Sequence, residues 1–187
     1  MTMKHISAMV VVISAVAAAQ ASPVPPVGVS YSVTGSAGNY TLDFSLANQT
    51  GDSTLGLYYF GVRIDSFLSA PTAWNSFGTS NISVYGGPSG PYQTSWVSSP
   101  FTGPYITDGN SLGGFKVLYT GSSVPASIDW FAFGADPDGY SGPGNFSNYP
   151  EYPGFAGSVT QAVPEPASMA ALGLGGLALL RRRRAKK

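Results

Sequence analysis

The chain predicts an all-β domain, and three observations carry that prediction. Apolar and polar residues alternate with the period of a half-buried strand in several separate segments. Clusters of Gly, Pro, Ser, Thr and Asn interrupt these segments at short intervals, in a chain holding 24 Gly and 15 Pro. Strong helix formers are scarce: between positions 30 and 160, Gln49, Gln93, Lys116 and Glu151 are the only Gln, Lys and Glu, and Met is absent.

The elements follow in order. Val27, Val29, Tyr31 and Val33 alternate with small or polar neighbours, a strand that runs into a turn at Gly35–Gly38. Tyr40, Leu42, Phe44 and Leu46 alternate with Thr41, Asp43 and Ser45, giving one buried and one wet face. Asn48–Ser53 is a turn. Leu55–Ile64 is nearly continuous apolar, which predicts a central strand covered on both sides, with Gly56 and Gly61 as bulges or points of close packing under aromatic rings. Residues 66–78 form an irregular connection carrying Pro71 and Trp74.

Ile82 and Val84 suggest a short strand, Tyr92–Ser98 another, and Pro100–Asn110 a loop. Phe115, Val117 and Tyr119 alternate, and Ile128–Gly134 is dominated by Trp130, Phe131 and Phe133. Residues 136–157 form a Gly/Pro/Tyr-rich excursion whose rings pack a loop onto the body, before a last strand at 158–163. Seven or eight short strands at this spacing imply a single β-sandwich or jelly roll.

The ends of the chain are of another kind. Lys4 precedes an apolar run, Ile6–Ala19, and Ala19-Gln20-Ala21 has the small-x-small pattern of a cleavage site. Residues 1–21 are therefore expected to be a signal peptide removed by signal peptidase, leaving 22–161 as the exported domain. At the other end, Val163-Pro164-Glu165-Pro166-Ala167-Ser168 precedes an uncharged stretch to Leu180, then Arg181, Arg182, Arg183 and Arg184 with Lys186 and Lys187 behind them. Pro164 and Pro166 mark the start of a helix rather than its interior. Residues 167–180, about fourteen of them at ~1.5 Å each, span ~21 Å against a ~30 Å hydrocarbon core, and snorkelling arginines lengthen the reach. The arginines are expected to stay cytoplasmic and stop transfer through the inner membrane.

Charge is segregated in the same way. Six of the nine bases lie in the last seven positions. Residues 22–161 hold two bases, Arg63 and Lys116, against eight acids, a net charge of −6. Such a surface excludes nucleic acid as a partner.

This three-part tail resembles the PEP-CTERM sorting signal of Gram-negative bacteria. The resemblance covers residues 162–187 and implies Val163, Pro164, Glu165 and Pro166 as recognition motif, residues 167–180 as transmembrane helix and 181–187 as basic tail. It implies an exosortase as processing partner, a membrane cysteine transpeptidase-like enzyme that cuts near the Pro-Glu-Pro. It further implies a protein of the cell envelope or extracellular matrix in an exopolysaccharide or biofilm producer, and the expected role is structural or adhesive in that matrix. The body, through Tyr40-Thr41-Leu42-Asp43-Phe44, Tyr58-Tyr59-Phe60-Gly61-Val62, Trp74 and Gly114-Phe115, looks like exported domains that accompany such tails and have no assigned activity.

Chemistry within 22–161 is sparse. The one histidine is His5 and there is no cysteine, so neither a Ser-His-Asp nor a Cys-His arrangement is available there, and the domain is expected to be non-enzymatic with no cofactor. Asp129, Asp136, Asp138 and Glu151 leave a carboxylate-pair glycosidase as the enzymatic alternative. Asp136-Pro137-Asp138-Gly139 begins like a calcium loop but lacks the downstream bidentate Glu, so Asp136 and Asp138 are weak calcium candidates. Carbohydrate binding is the better alternative: Tyr92, Trp96, Tyr105 and Tyr140, with Tyr85, Tyr149 and Tyr152, lie in or near loops where rings stack on sugar faces. Asn39, Asn48, Asn81 and Asn145 each begin an Asn-x-Ser/Thr sequon.

Overall fold

A hairpin opens the domain. Strands β1 (Val27–Ser36) and β2 (Asn39–Asn48) pair antiparallel in unbroken register, with Ser36 opposite Asn39. The turn needs Gly38 at φ 81. In this computed structural model, residues 24–161 are described; the expected signal peptide and sorting tail lie outside the described residues.

The remaining strands are β3 (Gly56–Val62), β4 (Phe67–Ser69), β5 (Asn75–Ser76), β6 (Thr94–Val97), β7 (Ile106–Thr107), β8 (Ser111–Tyr119), β9 (Ile128–Ala135) and β10 (Gly154–Val159). They form two sheets. The first has the order β1-β2-β8-β4, and the second β10-β9-β3-β6-β5 with β7 also pairing β3. The first order is that of immunoglobulin strands A-B-E-D, and β10-β9-β3 is that of G-F-C. The sandwich is therefore immunoglobulin-like and not a jelly roll, with β5 and β6 added beside β3 by the long β4–β8 connection.

The alternating strands bury the faces expected of them. Leu42, Phe44 and Leu46 of β2 and Phe115 and Val117 of β8 meet Leu57, Phe60 and Val62 of β3 and Trp96 of β6 in one inter-sheet core. Aromatic rings fill much of this core. Trp96 stacks on Phe60 at 5.6 Å and 13°, and Phe115 meets Phe60, Trp74 and Trp96 edge-on at 5.0–5.4 Å. The Trp96 indole N–H donates to Ser69 O at 2.9 Å, so the buried ring leaves no orphaned donor.

The second sheet is covered on both sides, as the apolar β3 run predicts. Its outer face carries Phe131 and Phe133 of β9 and Tyr58 and Tyr59 of β3 beneath Ile82, Tyr92 and Phe146. A Cβ on Gly61 would run into Phe131, and one on Gly56 would lie 2.6 Å from Tyr105 Cβ, so both glycines sit under rings.

Three expectations are corrected. Ile82–Tyr85 is a 3₁₀ turn, not a strand, because the Asn81 side chain accepts from Ser83 N and Gly86 closes it at φ 92. The 100–110 loop contains β7. The last strand starts at Gly154 rather than 158, because Gly154 is where the chain can slip between Phe146 and Phe133 without a side chain.

Candidate functional site

A register shift in β3 builds the site. Against β9, Leu57 pairs with Gly134 and Tyr59 with Phe133, which leaves Tyr58 as an extra residue. This bulge breaks the alternation, and Tyr58 and Tyr59 both join the outer layer, ring centroids 6.3 Å apart. They line a cleft of ≈ 370 Å³ with Phe133 of β9. Tyr85 at the end of the 3₁₀ turn, Pro100 and Phe101 from the β6–β7 loop, and Ser147, Tyr149 and Tyr152 from the β9–β10 excursion complete the lining. The walls are apolar and aromatic, and among the described residues no carboxylate or base lines it.

The rings are held from behind. Phe133 meets Tyr85 at 5.6 Å and Phe146 at 5.4 Å, both edge-on. Tyr59 meets Phe131 at 5.2 Å, and its hydroxyl bonds Ser80 Oγ, which accepts from Ser95 Oγ at 3.0 Å. Phe101 is the most open member at 81% exposure, and Tyr149 follows at 51%. Burial, reinforced by Tyr152, Tyr85, Tyr59 and Tyr105, pushes the Tyr58 phenol up to about 12. Burial also raises Tyr59, partly offset by its bonds to Ser80 and Ser95. The floor of the cleft is thus neutral and hydroxyl-bearing at ordinary pH.

Outside this domain, residues 162–184 match the family described as PEP-CTERM protein-sorting motif. The chain carries a PEP-CTERM sorting domain. The motif implies an exported protein processed by an exosortase, and the matched stretch contains Val163 to Pro166 and Arg181 to Arg184. None of the curated proteins matches the chain. A crystal structure of an uncharacterized protein from Nocardia farcinica, described as having an immunoglobulin-like fold, is similar with a TM-score of 0.41 at 18% identity. It covers 72% of this chain and 98% of that one.

Of the rings the sequence nominates in this PEP-CTERM protein, Tyr85, Tyr149 and Tyr152 line the cleft. Trp96, Tyr92 and Tyr140 do not, and this corrects the expectation. Trp96 is in the inter-sheet core, Tyr92 lies under Arg63 and against Phe131, and Tyr140 packs on Phe155. Their faces are covered and offer no sugar platform. Tyr105 is half-buried over Gly56, and its hydroxyl donates to Pro100 O at 2.7 Å, so it braces the loop that carries Phe101. Tyr58, Tyr59, Phe101 and Phe133 were not nominated. The paired Tyr58-Tyr59 inside an apolar run is the one sequence signal that points to them.

The carboxylates are dispersed. Asp136 is buried and its Oδ1 accepts from Thr54 Oγ1 at 2.9 Å and Asp138 N at 3.1 Å, while Oδ2 has no partner. Asp138 is exposed, serving the turn through its amide. Among the described residues no group of three His, Cys, Asp or Glu could hold a metal. Asp129 pairs with Arg63 at 3.3 Å, and Glu151 is exposed. Asn48, by contrast with a glycosylation site, is buried: its Nδ2 donates to Leu55 O and Ile106 O, both at 2.9 Å.

Proposed function

We propose that this exosortase-sorted protein is a non-enzymatic, adhesive component of an exopolysaccharide matrix, and that its aromatic cleft grips saccharide. The carrying observation is the cleft itself: five tyrosines and two phenylalanines around ≈ 370 Å³, on a rigid sheet face. Such rings offer flat apolar area to the C–H faces of a pyranose, while phenolic hydroxyls bond its edges. Ring stacking needs no proton donor or nucleophile, and the glycosidase alternative needs two carboxylates flanking one bond. Asp129, Asp136, Asp138 and Glu151 stand outside the lining, which supports binding over cleavage.

The test is calorimetric titration of the full chain in detergent with a panel of neutral exopolysaccharide fragments. Phe101→Ala and Tyr149→Ala are each expected to weaken binding about tenfold, the worth of one lost stacked ring, with the melting temperature unchanged. Flat titrations across the panel, or variants that bind as the native chain does, would refute the reading.

A further inference from the structure

A second cavity, of ≈ 670 Å³, lies where the C-terminal ends of β3 and β8 meet the start of β9. It shares no lining residue with the aromatic cleft and its character is opposite. Arg63, Asp65, Gln93, Thr120, Ser127 and Asp129 give it polar walls.

Arg63 is fixed there by three partners. Nη1 lies 3.3 Å from Asp129 Oδ2, Nη2 donates to Ser89 O at 2.5 Å, and the guanidinium rests 4.7 Å over the Tyr92 ring. Asp129 is held in turn by Ser158, whose Oγ donates to Oδ1 at 2.5 Å. This leaves Arg63 Nε, a donor, without a partner, and Gln93 Oε1, an acceptor, is likewise unmet; both are buried. Ser66, also on the wall, holds φ 79 although it is not glycine, and Leu118 N pins it by donating to Ser66 O at 2.9 Å. Backbone strain of that kind concentrates at ligand clamps.

We propose that this cavity is a second saccharide site, which binds the ring hydroxyls of a neutral pyranoside by hydrogen bonds. A vicinal pair of hydroxyls offers donors and acceptors together. It thereby suits a wall where the side chains of Arg63 and Asp129 stay 31% and 44% exposed beside Gln93, Thr120 and Ser127. Charge selects against the obvious rival. The Arg63 charge is already matched by Asp129, and Asp65 adds a negative, so an anion would meet a net repulsive wall. Fixed side chains lower the ordering cost of binding. With the aromatic cleft, this site would let one domain hold two segments of polymer, the arithmetic that turns weak contacts into a cross-link. The inference stands independently of the cleft reading.

Saturation-transfer NMR on the full chain in detergent micelles tests it, with methyl glucopyranoside, methyl mannopyranoside and methyl galactopyranoside at millimolar concentration, and glucuronate as the anionic control. At least one neutral glycoside is expected to show transfer, and glucuronate none. In the Phe101→Ala/Tyr149→Ala background, which removes the cleft's own binding, the apparent affinity is expected to fall about tenfold on adding Gln93→Ala or Arg63→Lys, which keeps the charge but removes the planar N–H. Transfer itself should persist in the Phe101→Ala/Tyr149→Ala double variant. Gln93→Ala leaves the Arg63–Asp129 pair intact, so it decides the matter even where Arg63→Lys does not fold. Silence from all three neutral glycosides, unchanged affinity on adding Gln93→Ala to the cleft double variant, or loss of all transfer in that double variant would overturn the proposal.

Discussion

Replacing Gly61 by alanine is the sharpest perturbation of the sheet that floors the cleft. Gly61 sits mid-strand in β3, between Ser95 on β6 and Phe131 on β9. An added Cβ would lie far inside van der Waals contact with Phe131 Cε1, 2.9 Å from Phe131 Cζ and 2.8 Å from Ser95 Oγ. The ring cannot swing aside freely, because Tyr92 at 4.9 Å, Tyr59 at 5.2 Å and Phe133 at 5.7 Å hold it. Overpacking of this kind costs about 3 kcal/mol. Removing glycine freedom from the unfolded chain returns about 0.4–1 kcal/mol. The net expectation is a loss of about 2 kcal/mol, or roughly 6–10 °C in melting temperature for a domain of this size. Because Phe131 supports Tyr59 and Phe133, the saccharide affinity proposed for the cleft should fall as well. A double variant with Phe131→Leu should recover part of the loss, measured by a thermodynamic cycle from urea unfolding. A Gly61→Ala protein as stable as the native one, or more so, would refute the claim that the ring contact determines this position.

Three further outcomes follow from the same structure. Asn48→Ala should cost about 3 kcal/mol in urea unfolding, since it leaves the buried Leu55 and Ile106 carbonyls short of a donor; a loss under about 1 kcal/mol would show those bonds to be replaceable. At high pH the folded chain keeps the Tyr58 proton to about 12 while the unfolded chain releases it near 10. The Tyr58 contribution to stability should therefore be flat below pH 10 and fall as pH rises through the interval to 12, by at most about 2 kcal/mol after allowance for its partial exposure. Tyr31, Tyr59, Tyr92 and Tyr140 push the same way, and native absorbance at 295 nm should lag that of the urea-unfolded chain; coincident titrations would contradict this. Intact-mass measurement on protein recovered from the culture medium should find a chain that starts after Ala21 and lacks Arg181–Arg184, whereas a cytosolic, full-length product would contradict export.

The strands were legible where one face is dry and the other wet. Alternation in β1, β2 and β8 reports directly which side chains leave water, and Leu42, Phe44 and Leu46 are fully buried as the pattern requires. Gly56 and Gly61 were legible too, because glycine inside an apolar run has few uses besides close approach. Aromatic residues near loops were not. Trp96 pairs with Phe60 and Tyr92 packs on Phe131, both far along the chain, and Tyr140 is buried by Phe155 from the other side of the excursion. Local sequence shows that a ring is flanked by turn residues, but burial is set by long-range packing. The bulge at Tyr58 is equally non-local, since it exists only as a mismatch between β3 and β9.

The outer face of the second sheet ties these points together. An immunoglobulin-like sheet normally turns a polar face to water, yet here that face is a second apolar layer of Ile82, Tyr92, Phe131 and Phe133. Such a layer requires a cover, and the β4–β8 connection and the β9–β10 excursion supply it. Phe146 N donates to Gly154 O at 2.8 Å and Asn148 N to Tyr85 O at 3.3 Å, so the two loops are fastened to the body and to each other. The cleft is the gap in this cover, where Phe101 and Tyr149 rise at the edges of a floor of tyrosines. Its rings are consequently backed by a sheet and not by mobile chain, and ring position is what stacking depends on. A domain without disulfides gains rigidity from both buried layers.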